Sequence, residues 1–165
     1  MAAFLRRRQR IGGLELDPGE RPLASANTAS GPVVATDRRL VIAYPDRVHA
    51  VGWEDVERAQ WDRDGEVLVV TETAAAGSRP PEHRLRIEEP GRLVDVVRER
   101  VNASVVLTRS MIISGERGVR VTGRRRPGQD GLRWVVAVDP GLDLDDPAVR
   151  ASVDSAVTSV RAEVE

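Results

Sequence analysis

The chain has 165 residues, 41% of them hydrophobic and 31% charged, with 25 basic against 26 acidic residues and two histidines. That length supports one domain, or a small domain with an extension, folding on its own apolar core without covalent staples. The lack of cysteine excludes disulfides, thiolate zinc sites, iron–sulfur clusters and a cysteine nucleophile, and a net charge of −1 argues against a surface that coats nucleic acid along its whole extent.

Every one of the 25 basic residues is an arginine, and 25 residues are valine. This composition reads as the bias of a GC-rich genome, so a single arginine says little about function. The N-terminus carries Phe4, Arg6, Arg7, Arg8 and Arg10 without a following apolar run, so it does not read as a secretory signal. No apolar stretch is long enough for a membrane-spanning helix, and the cytoplasm is the expected compartment. Residues 1–19 are expected to form a basic N-terminal segment, with Gly12-Gly13 as a flexible joint and Asp17-Pro18-Gly19-Glu20 as a turn.

Short apolar or β-branched runs follow. Strands are predicted at about Pro22–Asn27, Val33–Thr36, Arg39–Tyr44, Arg47–Trp53, Val56–Trp61, Glu66–Thr73 and His83–Ile87. Turn-forming residues separate them: Asn27–Gly31, Tyr44-Pro45-Asp46, and Asp64-Gly65, the last a type I′ hairpin signal. The stretch 74–81 reads as a longer loop. A helix of about 13 residues is predicted after Pro90, with Glu89 as its cap and Leu93, Val94, Val97 and Val101 on one face.

Beyond it, Val105–Ile113, Gly118–Arg124 and Leu132–Val138 read as strands, the last two forming a hairpin over Pro127-Gly128-Gln129-Asp130-Gly131. Asp146 as cap and Pro147 at the first position open a final helix. Its stripe of Val149, Val153, Val157, Val160 and Val164 must pack on its own hairpin or on a second copy of the chain.

The run Val33-Val34-Ala35-Thr36-Asp37-Arg38-Arg39-Leu40-Val41-Ile42 resembles the threonine-x-arginine-arginine-leucine strand pair of bacterial pleckstrin-homology-like (PH-like) and GRAM-like domains. Trp53-Glu54-Asp55-Val56 is similar to the segment that introduces their next strand. The resemblance covers about residues 20–104. It implies an α+β chain: a PH-like seven-stranded antiparallel β-barrel capped by a helix, here followed over residues 105–165 by a βββα extension packed on the barrel or on a second subunit. Within the strand pair, the residues favour a salt-bridged corner at Thr36–Arg39 over a ligand site. Members of the family that bind phosphoinositides use basic residues on the first hairpin loop, whereas Asn27–Gly31 contains none.

No phosphate-binding glycine loop and no nucleophile elbow occur. His49 and His83 are too few, at the wrong spacing, for a recognisable histidine metal motif. Asp139, Asp143, Asp145 and Asp146 crowd one loop without the calcium-loop pattern, and helix capping explains two of them. No catalytic residue, cofactor, metal or small-molecule substrate is therefore expected. Two interaction sites are: the turn Arg124-Arg125-Arg126, and the N-terminal group Phe4, Arg6, Arg7, Arg8 and Arg10, which could touch a membrane or a partner. Residues 109–133 carry seven arginines against Glu116 and Asp130, while 139–165 carry seven carboxylates against Arg150 and Arg161. Opposed charge of this kind favours internal or intersubunit complementarity over nucleic acid, which would also want exposed aromatics.

The expectation is a non-enzymatic PH-like binding or scaffold module that mediates protein interaction, with a protein partner or a homodimer. The alternative is a peripheral membrane or anionic-ligand binder that uses the basic N-terminus or the Arg124–Arg126 turn, with only weak membrane contact.

Overall fold

The computed structural model describes residues 8–164. Phe4, Arg6 and Arg7 therefore lie outside the described residues. The strands are β1 (Arg10–Ile11), β2 (Leu14–Glu15), β3 (Pro22–Thr28), β4 (Gly31–Thr36), β5 (Arg39–Ala43), β6 (Val48–Gly52), β7 (Val56–Asp62), β8 (Val67–Glu72), β9 (Glu82–Arg86), β10 (Val105–Ser114), β11 (Arg117–Arg124) and β12 (Arg133–Val138). The helices are α1 (Leu93–Ser104) and α2 (Pro147–Ala162), and a 3₁₀ turn, Trp53–Asp55, joins β6 to β7.

The seven central strands do not close into a barrel. They form two open antiparallel sheets, β3-β4-β5-β6 and β7-β8-β9. The interruption is local: after Gly52 the chain leaves the sheet through the 3₁₀ turn, Trp53 drops into the core, and β7 begins the second sheet instead of pairing with β6. Trp53 is fully buried and its indole N–H donates to the Thr36 carbonyl oxygen at 2.9 Å, so the bulkiest side chain of the core occupies the place where the sheets part. Helix α1 packs against β3, β4, β7 and the 3₁₀ turn. Val33, Leu40 and Ile42 of one sheet, Leu68, Val70 and Leu85 of the other, and Leu93, Val97 and Val101 of α1 share one core.

Two local expectations also change. Helix α1 begins at Leu93 rather than Pro90, and neither Glu89 nor its N-cap residue Arg92 caps it through a side chain. Gly91 sits at φ 51°, a left-handed conformation that cannot continue a right-handed helix. The β7–β8 turn is not type I′. Asp62 Oδ1 accepts the backbone N–H groups of Asp64 and Gly65, both at 3.1 Å, and the left-handed residue is Glu66 at φ 53°.

Residues 8–19 are built into the fold. Gly12 and Gly13, with positive φ, turn β1 back onto β2, and Leu14 and Leu16 are buried against Val34 and Val41 on the outer face of the first sheet. The C-terminal part is a third antiparallel sheet, β10-β11-β12, with α2 on one face. Asp146 Oδ1 accepts the Ala148 N–H at 2.8 Å and Pro147 opens the helix. Val153, Ala156 and Val160 are buried on Val119 and Val121, with Val149 and Val157 partly buried beside them, so four valines of the predicted stripe pack on the helix's own sheet, while Val164 lies past the helix end and is exposed. Among the described residues, no helix is long and apolar enough to cross a membrane.

Candidate functional site

Four polar side chains meet where the two central sheets approach each other. Tyr44 follows β5, and His49 stands on β6, paired in register with Ile42. Glu72 closes β8, and His83 stands on β9 opposite Val70. Alternation along the strands sends these side chains toward the seam between the sheets.

Glu72 Oε2 is shared. It lies 2.8 Å from His49 Nε2 and 2.5 Å from His83 Nε2. An ionised carboxylate only accepts, so both imidazoles donate from Nε2. The other ring nitrogen of His83, Nδ1, lies 2.6 Å from the Tyr44 hydroxyl, and in a neutral imidazole it accepts that O–H. The imidazole rings are 4.6 Å apart, tilted by 32°. The Arg47 guanidinium lies 4.6 Å from the centre of the Tyr44 ring. Burial pushes the Tyr44 hydroxyl pKa up, Arg47 opposes this and Glu72 adds to it.

Side-chain exposure falls from 31% at His49 through 16% at Glu72 to 9% at His83. The cluster is thus open to solvent on the His49 side and closed at its base. Its donor atoms, two imidazole nitrogens and a carboxylate oxygen, all lie within 4.8 Å of one another. Such a set can hold a proton between three groups or share a divalent ion.

The arginines singled out in the sequence are arranged differently from a single patch. Arg124 is buried, donating from Nη1 to Ser104 Oγ at 2.9 Å and from Nη2 to the Glu57 carbonyl oxygen at 3.0 Å. Arg126 pairs with Glu54 at 2.9 Å, and Arg125 is exposed. Arg133 meets Asp55 at 2.6 Å. The positive hairpin therefore spends much of its charge on the acidic segment 54–57, with Arg109–Glu163 at 2.8 Å its link to the acidic C-terminus. At the other end, Arg8 pairs with Glu15 at 2.9 Å and Arg10 is exposed on β1.

The Thr36–Arg39 corner is a closed ionic network, and its acid is Glu20. Arg39 donates to both Glu20 oxygens at 2.9 and 3.0 Å, and Thr36 Oγ1 donates to one of them at 2.6 Å. Asp37 instead accepts the Arg21 backbone N–H at 2.8 Å. In the acidic loop, Asp139 accepts the Gly118 N–H at 2.7 Å and Asp143 the Asp145 N–H at 3.0 Å, so these carboxylates serve the backbone. A groove of about 670 Å³ borders the first hairpin loop, but its charged lining is Arg86 with Glu88 and Glu89, a poor match for an anion.

Sequence reasoning missed the His49–Glu72–His83 cluster because its members are 23 and 11 residues apart and belong to two sheets. The usable signal was the period-two placement of His49 and His83 on strands that otherwise read as half-buried. Comparison with family models, with curated proteins and with solved structures finds no match for this chain.

Proposed function

We propose that the chain is a non-enzymatic protein-interaction module of the cytoplasm, and that it works as a pair, joined along the free edge of β10. The observation that carries this reading is the edge itself. β10 runs for ten residues and pairs only with β11, leaving its other side unpaired among the described residues. Natural edge strands are usually blunted by charge, proline or brevity. Here Arg109 is the single charged residue, and it is engaged by Glu163. Val105, Val106 and Ile112 are exposed, Ile112 to 69%. Strand addition at such an edge supplies main-chain hydrogen bonds without further design.

A second copy fits the pattern of side chains. Leu107, Arg109 and Met111 share the face covered by α2, while Ser110 and Ile112 point to the other face. Opposite residues of an antiparallel pair lie on the same face, so a two-fold axis through Ser110 sets Arg109 beside Met111 of the copy and Thr108 beside Ile112. Both α2 helices then cover one face of a six-stranded sheet. An axis through Arg109 would place like charges opposite each other, which is unfavourable.

The absence of cysteine makes the test direct. Ser110→Cys should be joined into dimers by a short bismaleimide, whereas Ser30→Cys, on an exposed loop, should not. Ile112→Lys should shift light scattering toward the monomer. A strict monomer, or a dimer indifferent to Ile112→Lys, would overturn the reading.

The resemblance of residues 20–104 to PH-like and GRAM-like domains is kept as a proposal of relationship without the closed barrel. The succession of seven antiparallel strands and a helix supports it. The anionic-surface alternative is weaker, because Arg124 is buried on Ser104 and Glu57 and Arg126, though exposed, is paired with Glu54, which leaves Arg125 as the guanidinium of that turn without an ion pair among the described residues.

A further inference from the structure

We infer that His49, Glu72 and His83 form a binding site for a divalent transition-metal ion of the zinc type, coordinated through the two Nε2 atoms and a Glu72 carboxylate oxygen. Two imidazoles and one carboxylate match the preferences of zinc, cobalt or nickel; magnesium and calcium want oxygen ligands throughout. Three protein ligands leave a coordination position open, and the exposure gradient places it on the His49 side, where solvent or an exogenous ligand can enter.

The distances fit an ion-free site that closes on itself by hydrogen bonding. Ligand atoms about 2.0–2.1 Å from a tetrahedral ion stand about 3.3 Å from one another, against the 2.8 and 2.5 Å found between the Nε2 atoms and Glu72 Oε2. Admitting an ion needs each contact to open by less than about an ångström. His49 belongs to one sheet and Glu72 and His83 to the other, so part of that opening can be taken up at the seam, where no strand ladder must break.

Tyr44 is the positioning residue. Without metal, His83 donates from Nε2 to Glu72 and accepts the Tyr44 O–H at Nδ1. Coordination requires a lone pair at Nε2, which moves the ring proton to Nδ1 and reverses the Tyr44 contact: Nδ1–H then donates to the phenol oxygen. A ligand histidine held in this way by an oxygen partner is the usual outer-shell arrangement, and losing such a partner costs about 10–100-fold in affinity. The site belongs to the seam alone and is independent of the β10 edge.

The test titrates Co(II), and then Zn(II) in competition, into the full chain without a histidine tag. Expected are a one-to-one visible Co(II) spectrum, its displacement by Zn(II), and a rise in melting temperature with metal, because an ion that binds only the folded chain stabilises it. His49→Gln, at the exposed side of the site, should abolish the stoichiometric spectrum while leaving the circular dichroism unchanged. Tyr44→Phe should keep the spectrum but weaken binding about tenfold. Asp143→Asn/Asp145→Asn, in the acidic loop, should bind as wild type. A wild-type chain without a Co(II) spectrum, or a His49→Gln chain that binds as well as wild type, would overturn the proposal.

Discussion

The Nη2 atom of Arg124 donates to the backbone carbonyl oxygen of Glu57 at 3.0 Å, tying β11 of the C-terminal sheet to β7 of the central part through an arginine only 5% exposed. Burial pulls its pKa down, while the charges of Glu57 and Asp55 pull the other way. Removing such a group leaves the Glu57 carbonyl without this donor and opens a cavity beside Ser104, whose O–H keeps its bond to the Val101 carbonyl oxygen, so Arg124→Ala should cost about 2–3 kcal/mol. The neighbouring Arg125→Ala should stay within about 0.5 kcal/mol. Urea unfolding of the two variants checks the contrast, and equal effects would show that the buried contact does not matter.

Glu20 predicts acid sensitivity. Burial pushes its carboxyl pKa up, but hydrogen bonds from Arg39, Thr36 and the Asp17 N–H, together with the Arg39 charge, outweigh this and hold it below the usual range of a glutamate. A carboxyl whose folded pKa is depressed stabilises the fold above its unfolded pKa and loses that stabilisation as pH falls through the folded pKa. Stability should therefore decline below about pH 4.3, the ordinary glutamate value. Glu20→Gln should lower stability at neutral pH and flatten that part of the pH profile. A profile with the same acid slope in both proteins would remove Glu20 as its source.

Much of this architecture is legible in the amino-acid sequence. Turn residues mark the strands, and Asp146-Pro147 marks the start of α2 because capping is a local matter of one side chain and two backbone groups. The parting of the sheets is not legible: a strand count does not say whether β6 pairs with β7, and Trp53, an apparent core residue, is what separates them. Residues 8–19 read only as part of a basic N-terminal segment because a two-residue strand on each side of Gly12-Gly13 has no pattern of its own, although Leu14 and Leu16 have buried places waiting. Glu20 escaped as Arg39's partner, and the two histidines as a pair, for the same reason. Each contact is made by residues distant in sequence that meet only after the strands have paired.

The β7–β8 turn carries a correctable strain. Glu66 adopts φ 53°, a left-handed conformation that costs an ordinary L-residue about 1 kcal/mol or more. Glycine enters it freely but gives the unfolded chain more entropy. The first effect is the larger at a half-exposed loop position, so Glu66→Gly should stabilise the protein by about 0.5–1 kcal/mol. Thermal unfolding of that variant beside Glu66→Ala separates conformation from loss of the side chain, since alanine retains the Cβ and gains nothing. A Glu66→Gly protein less stable than wild type would contradict this account.

Gly118 makes the opposite prediction. It sits on β11 opposite Ile112, beside the register shift between Ile112 and Ser114, and a Cβ there would collide with the Met111 backbone carbonyl oxygen. Backbone cannot rotate aside as a side chain can, so Gly118→Ala must either move β10 or break pairing near the hairpin. It also threatens the bond from the Gly118 N–H to Asp139 Oδ2 at 2.7 Å, which holds the chain leaving β12. A cost of about 2–4 kcal/mol is expected. Because β10 carries the proposed edge, hydrogen exchange should show faster exchange over residues 107–119 with the central sheets unchanged. Gly115→Ala is the control, since its added Cβ meets open space and it suffers only from φ 62°. If Gly118→Ala proved no worse than that control, the close approach of β10 to β11 would have to be wrong.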